Sequence, residues 1–438
     1  MYPIGDESFE VGYNLFQVPG KALIFNRAGF IFTKVYGSLL GLALVLYGAR
    51  GVWVANSGPN TPSRVAFCGA WLCPFEFSPG RIYDLQLESH RGRADDAIRE
   101  LQRAVTFDPA SAYAWADLGE VFLTAHQPNK ARYCLERAIV AGPNSPTILV
   151  RAANTYFTLG DYRGTMRYFS RVLQNPELTD YYPAVFLTYT RMDLPITELL
   201  TYGIPQTRWA AQGFLRFLME GNLVADTEST WDWILGHALG NEKLSGEYVG
   251  FLLQNKQGQR AADTWARLHS NDMPHYRRTN WIFNGSFEQA LQPSPLDWQI
   301  QPSDDVQASR FRGVAYEGSW SLQLIFRGEN NIDYHQVFQE FVLHSGTWHA
   351  EGLVRTEGIT TDQGVALRIY DAVKPQRLEV KTDALSGTHD WTKLERTFAV
   401  GPETSVVRVE VERQASQKLD NKIAGRAWVD AVKIDPAR

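Results

Sequence analysis

The spacing of apolar residues changes character along the chain. From about residue 92 hydrophobic positions recur at helical spacing, and after Asn271 they recur at every second position. In the first stretch Ala97, Leu101, Ala104 and Pro109 return as Ala131, Leu135, Ala138 and Pro143, each pair 34 residues apart. Thr165, Phe169 and Val172 continue the frame, with Pro176 one residue early. Small residues at these positions let two helices approach closely, and the proline ends the turn. The companion face reads Ala114, Trp115, Leu118, Gly119 and Phe122, then Leu149, Ala152, Ala153 and Tyr156, with Gly160-Asp161-Tyr162 as the turn between helices. The pattern predicts stacked helical hairpins.

This signature resembles the tetratricopeptide repeat family, carried by Trp115, Leu118, Gly119, Ala131, Leu135, Ala138 and Pro143. The resemblance implies a helical solenoid over 80–270, clearest over 92–177, whose concave groove binds a partner protein or peptide. From Tyr182 the signature decays while the helical pattern persists. Phe214, Phe217, Leu218, Trp231, Trp233, Ile234 and Leu235 read as buried faces, and Tyr248, Phe251, Leu252, Gly258, Ala262 and Ala266 as one more degenerate hairpin. Any single tryptophan here is expected to pack against a neighbour.

Beyond Pro274 the period is two. Leu322, Leu324 and Phe326 alternate with Gln323, Ile325 and Arg327, and Trp348, Ala350, Gly352 and Val354 with His349, Glu351, Leu353 and Arg355. Val365, Leu367 and Ile369 alternate with Ala366, Arg368 and Tyr370, and Val407, Val409 and Val411 with Arg408, Glu410 and Glu412. About eight short antiparallel strands over 276–438 predict a β-sandwich. The fold class is therefore multi-domain, α plus β.

The landmarks of this region are Asn284-Gly-Ser-Phe-Glu288, Leu296-Asp-Trp298, Gly318-Ser-Trp-Ser-Leu322, Ser345-Gly-Thr-Trp-His-Ala350, Trp391-Thr-Lys-Leu394 and Trp428-Val-Asp-Ala-Val-Lys-Ile434. Their order resembles the galactose-binding-like jelly roll of carbohydrate-binding modules. The resemblance implies a structural calcium held by Glu288, Asp430 and a backbone carbonyl near Gly318, the alternative being two carboxylates that cap loops. It also implies that Trp298, Trp348, Trp391 and Trp428 lie in the core. A sugar site needs aromatic platforms beside polar groups. The alternation gives one non-core face with His349, Glu351, Arg355, Arg368, Tyr370, Arg408 and Glu410, and Tyr334 and His335 at its rim. Tyr370 is nearly its only flat platform, so a glycan and a second protein both stay open as ligands.

One apolar run stands apart. Val35–Ala49 lies between Lys34 and Arg50 and continues through Gly51–Ala55. Arg50 can snorkel to the headgroups, so 35–55 reads as one transmembrane helix with Tyr36, Tyr47 and Trp53 near the interfaces. A buried soluble helix is the competing reading; a cleaved signal peptide fits poorly behind 34 preceding residues. The slight basic bias of 1–34 favours a cytoplasmic N-terminus, with a linker over 56–79 and an exported body. Cys68 and Cys73 are spaced to close a small disulfide ring in an oxidising compartment, or else stay as two thiols. Cys134 falls on an apolar helix face.

The chain of 438 residues carries 43 Lys+Arg against 48 Asp+Glu, a formal charge of −5. Such a balance has no bulk attraction for nucleic acid. The motifs of phosphate-binding loops, zinc proteases and serine-hydrolase elbows are absent from the sequence. Asp95-Asp96 and Asp304-Asp305 read as caps and solvated charge. The expected role is a non-catalytic, membrane-anchored scaffold that needs no cofactor. It would bind a partner protein through its repeats and a glycan or protein through its sandwich, in envelope polysaccharide assembly. The alternatives are an accessory subunit of a large membrane complex, and a glycan hydrolase or lyase using Glu351 or Glu410.

Overall fold

A computed structural model describes residues 94–419 and 421–437. The expected transmembrane helix at 35–55, its flanks 1–34 and 56–79, the opening of the repeat region at 80 and the Cys68–Cys73 pair lie outside the described residues. Among the described residues no helix is long and apolar enough to cross a membrane. The chain divides into two compact units between Cys134 and Leu135.

In the first unit α1 (Ala94–Phe107) and α2 (Ala112–Thr124) form a hairpin, followed by the start of α3 (Pro128–Ala141). Ala97, Leu101 and Val105 meet Leu118, Val121 and Phe122, and Ala131 and Cys134 close the cluster. Burial pushes the Cys134 thiol up to about 11, as suits a core residue. Ser111 caps α2 by accepting a bond from the Ala114 N–H at 3.3 Å.

The second unit continues with α4 (Pro146–Thr158) and α5 (Tyr162–Leu173), joined by a turn in which Asp161 accepts from the Gly164 N–H at 2.9 Å. Gly164 is a close-approach glycine: a Cβ there would stand 2.6 Å from the Tyr156 ring. After α6 (Tyr182–Arg191) the regular hairpin is interrupted by a π-turn, Leu199–Gly203, pinned by the Tyr189 hydroxyl donating to the Gly203 carbonyl at 3.0 Å. This insertion is where the 34-residue frame is lost. Four more helices follow: α7 (Arg208–Glu220), α8 (Val224–Gly236), α9 (Glu242–Gln254) and α10 (Gly258–Leu268).

Ten strands then form two antiparallel sheets. They are β1 (Gln299–Ile300), β2 (Val306–Arg312), β3 (Trp320–Arg327), β4 (Tyr334–Val342), β5 (Gly346–Ile359), β6 (Ala366–Asp371), β7 (Glu379–Lys381), β8 (Gly387–Val400), β9 (Val406–Arg413) and β10 (Ala424–Pro436). The first sheet has the order β1-β4-β9-β6-β7 and the second β2-β3-β10-β5-β8. The alternations expected from the sequence appear as a sandwich core: Leu322, Leu324, Phe326, Trp348, Ala350, Val354, Leu367, Ile369, Val407, Val409 and Val411 share one cluster with Trp298. Burial on this scale, at about 25 cal/mol per Å² of apolar surface, is what holds two sheets together.

Repeats and sandwich are not separate beads. Trp265 of α10, Leu252 of α9 and the sandwich residues Phe283, Leu296 and Val342 belong to one buried cluster. Gly258, at the start of α10, lies against Val342 and Val406. Gly246 of α9 sits so close to the Pro293 carbonyl that a Cβ there would stand 1.9 Å from its oxygen.

Candidate ligand-binding faces of the sandwich

The outward side of the first sheet centres on Glu410, in the middle strand β9. It is only 2% exposed because three groups cover it. The Arg368 guanidinium donates to Oε1 at 2.8 Å, the Tyr370 hydroxyl donates to Oε2 at 2.8 Å, and His335 Nδ1 lies 3.1 Å from Oε1. Arg368 also pairs with Glu379, and Arg408 pairs with Glu340 at 2.6 Å. The two aromatic rings of this face are capped: Arg368 stands over Tyr370 and Arg408 over Phe338, both at 4.3 Å. Burial and the neighbouring Glu410 raise the Tyr370 hydroxyl above its ordinary value. The result is a closed ion-pair floor whose flat rings already carry guanidinium partners.

On the outward side of the second sheet, Glu351 and Glu395 are direct cross-strand neighbours. They and His349 bring one ligand atom each within 4.8 Å of one another. Lys393 sits 2.6 Å from Glu395, which makes this row a charged ladder already holding its own cation. Further along the same side β10 places Trp428 opposite Arg355, whose guanidinium lies 5.7 Å from the indole. Arg355 is exposed and has no carboxylate partner among the described residues. The next strand, β8, changes register beside Arg355, between the pairs Val354/Thr392 and Thr356/His389. That irregularity carries Trp391, whose ring meets Tyr316 edge to face at 6.0 Å.

The loop that carries Tyr316 is held by the two residues expected to bind calcium. Asp430 accepts from the Tyr316 and Glu317 N–H groups at 2.6 and 3.1 Å, and from its neighbour Ala431 at 2.6 Å. Glu288 accepts from the Ser319 and Trp320 N–H groups, both at 2.8 Å. Gly318 lies between them at φ +66, against the Glu288 carboxylate. Burial lifts the Asp430 carboxyl to about 6 despite these donors. A calcium cage needs oxygen atoms facing the ion, and here Glu288 Oε1 and both Asp430 oxygens face N–H donors. With Glu288 Oε1 and the Asp430 oxygens taken by N–H donors, the arrangement serves here as a loop clamp.

The single non-core face expected from the sequence is in fact two. His349, Glu351 and Arg355 point outward from the second sheet, and His335, Arg368, Tyr370, Arg408 and Glu410 from the first. Period-two alternation separates inside from outside but does not say which sheet a strand joins. Tyr334 is another correction. A register shift between Tyr334 and Val337 turns its side chain into the core, where it is buried. Trp428 alternates with the core residues Ala427 and Val429, so it faces outward although covered, and Trp391 is only partly buried outside the core cluster. Tyr316 carried no signal in the alternation because it sits in a loop.

The sequence matches no established family profile and no curated protein. Among solved structures, the sheet region is similar to carbohydrate-binding modules and the helical region to tetratricopeptide proteins. A CBM61 module solved with β-1,4-galactotriose is 15% identical, covers 36% of this chain and 99% of its own, and superposes with a TM-score of 0.27. The xylan-binding CBM22-1 domain of Paenibacillus barcinonensis Xyn10C is 16% identical over 35% of this chain and 94% of its own, with a TM-score of 0.25. Pseudomonas aeruginosa pilF is 16% identical over 45% of this chain and 91% of its own, with a TM-score of 0.24. At these identities the likeness concerns fold.

Proposed function

We propose that the chain is a non-catalytic, membrane-anchored scaffold in envelope polysaccharide assembly. Its exported body holds a partner protein on the helical repeats and a glycan on the sandwich. The supporting observation is the continuous core of Trp265, Phe283, Leu296 and Val342. It joins the last helices, α9 and α10, to the sheets within the second unit, so that a protein seated on those helices stays at a constant distance from a ligand seated on the sheets.

Two measurements on the full chain test this. A reporter fused after Arg438 is expected to be active only outside the cytosol, and the purified chain to retain polysaccharide on an array without shortening it. Reporter activity confined to the cytosol overturns the anchor and the envelope role. Release of shorter oligosaccharides overturns the non-catalytic reading, and an array without any bound polysaccharide overturns the glycan half.

A further inference from the structure

The sandwich has two outward faces, and they differ in what they leave unsatisfied. On the first, both arginines are consumed by carboxylates and both rings are covered by those arginines. On the second, Arg355 is exposed without a carboxylate partner among the described residues, Tyr316 is 53% exposed, and Trp391 is partly open. The Trp428 indole N–H, facing outward beneath the Arg355 guanidinium, has no acceptor among the described residues.

We propose that Tyr316, Trp391 and Arg355 form a binding site for carboxylate-bearing pyranosides on the outer face of the second sheet. This rests on the glycan half of the function proposed above and gives it a place and a charge class. The two rings stand at 64° to one another and make a corner, so a pyranose can lay its C–H face on one ring and an edge against the other. The strand register sets Arg355 between Trp428 and the irregularity that carries Trp391, within reach of a substituent on a sugar seated there. A guanidinium matches a carboxylate in a two-point, planar fork. The platform is also rigid before any ligand arrives. Four backbone N–H groups of the Tyr316 loop are tied to Asp430 and Glu288, and the Ser321 hydroxyl donates to the Val314 carbonyl at 2.6 Å. Binding therefore orders little new chain. Nucleic acid also offers flat rings and negative charge. A single guanidinium at this corner, on a chain of net charge −5, does not track a phosphate backbone, which favours the sugar acid.

The test uses the full chain on an array of defined oligouronates, their neutral counterparts and single-stranded oligonucleotides, with affinities followed by calorimetry. Oligouronates are expected to bind better than neutral chains, and the preference to shrink with salt. Arg355→Gln is expected to weaken oligouronate binding about tenfold and to leave neutral chains alone. Tyr316→Ala is expected to weaken both, at an unchanged melting temperature because the ring is exposed; Trp391→Phe guards against misfolding by keeping a ring in place and is expected to give a smaller loss. Oligouronate binding that survives Arg355→Gln and Tyr316→Ala undiminished places the glycan elsewhere and overturns the site while sparing the scaffold reading. Oligonucleotide binding lost in Arg355→Gln also overturns it. An array empty of every oligosaccharide removes the glycan half itself.

Discussion

The Gln339 carboxamide closes a two-point pair with the backbone of Phe283: it accepts from the Phe283 N–H at 2.9 Å and donates to the Phe283 carbonyl at 2.8 Å. Gln339 is a wholly buried residue of β4, while the Phe283 ring packs edge-on to Trp265 of α10 at 5.3 Å. One side chain thus ties a sheet to the segment that plugs into the last repeat. Gln339→Leu keeps the volume but leaves two backbone groups without partners in an apolar site. Its expected cost is roughly 2–4 kcal/mol by urea unfolding. A loss below about 0.5 kcal/mol, the range of ordinary surface changes, would mean that the pair is not what holds Phe283.

Gly246 reverses a usual rule. Replacing a mid-helix glycine by alanine normally stabilises by roughly 0.5–1 kcal/mol. Here the added methyl meets the Pro293 carbonyl, a backbone atom that cannot swing aside. Gly246→Ala is expected to destabilise by about 1–3 kcal/mol, with faster hydrogen exchange in α9, α10 and residues 291–297. A stabilised variant would show that helix and loop do not touch in solution.

Asp297 gives a pH signature. It is fully buried, accepts from the Gln292 and Trp298 N–H groups at 2.7 Å each, and desolvation lifts its carboxyl to about 7. In the unfolded chain the same group titrates near 3.9, about the ordinary value. Its contribution to stability is therefore fully present below about pH 4 and is lost as pH rises to about 7, then stays constant. Asp297→Asn removes the titration. The melting temperature of the unaltered chain minus that of Asp297→Asn is expected to fall between about pH 4 and pH 7. Asp430 shifts in the same direction but is present in both proteins, so it cancels. A difference that stays level across that window would place the Asp297 carboxyl in contact with water.

Glu288 and Asp430 lead to a chelator experiment. Because both carboxylates are engaged by N–H donors, a chelator is expected to leave the melting temperature unchanged. Glu288→Ala is expected to lower stability by about 1–3 kcal/mol through the released Ser319 and Trp320 amides. A clear drop in melting temperature on chelation, reversed by added calcium, would mean that the loop opens to admit the ion.

The sequence made the helical hairpins readable because close helix contact tolerates only small side chains, and Ala97, Ala131 and Ala138 repeat at those contacts. The inward-facing positions of the strands were equally plain, since burial on one side imposes period two. Site geometry was far less legible. Glu351 and Glu410 look alike in an alternating pattern, yet β5 and β9 joined different sheets, and long-range pairing of that kind leaves no local trace. Tyr334 was misplaced by a one-residue bulge, which flips a side chain without altering composition. Tyr316 owes its position to Asp430, more than a hundred residues away in the chain.

The shared cluster of α10 and the sandwich has a bearing on inheritance. A module that seats Phe283 and Leu296 inside its neighbour's last hairpin cannot be cut out and grafted behind an arbitrary helix: the recipient would need a glycine where Gly246 meets Pro293 and a socket for two greasy side chains. Gene rearrangements that keep this protein working are expected to move α9, α10 and all ten strands as one cassette, and to leave the earlier hairpins free to be gained or lost.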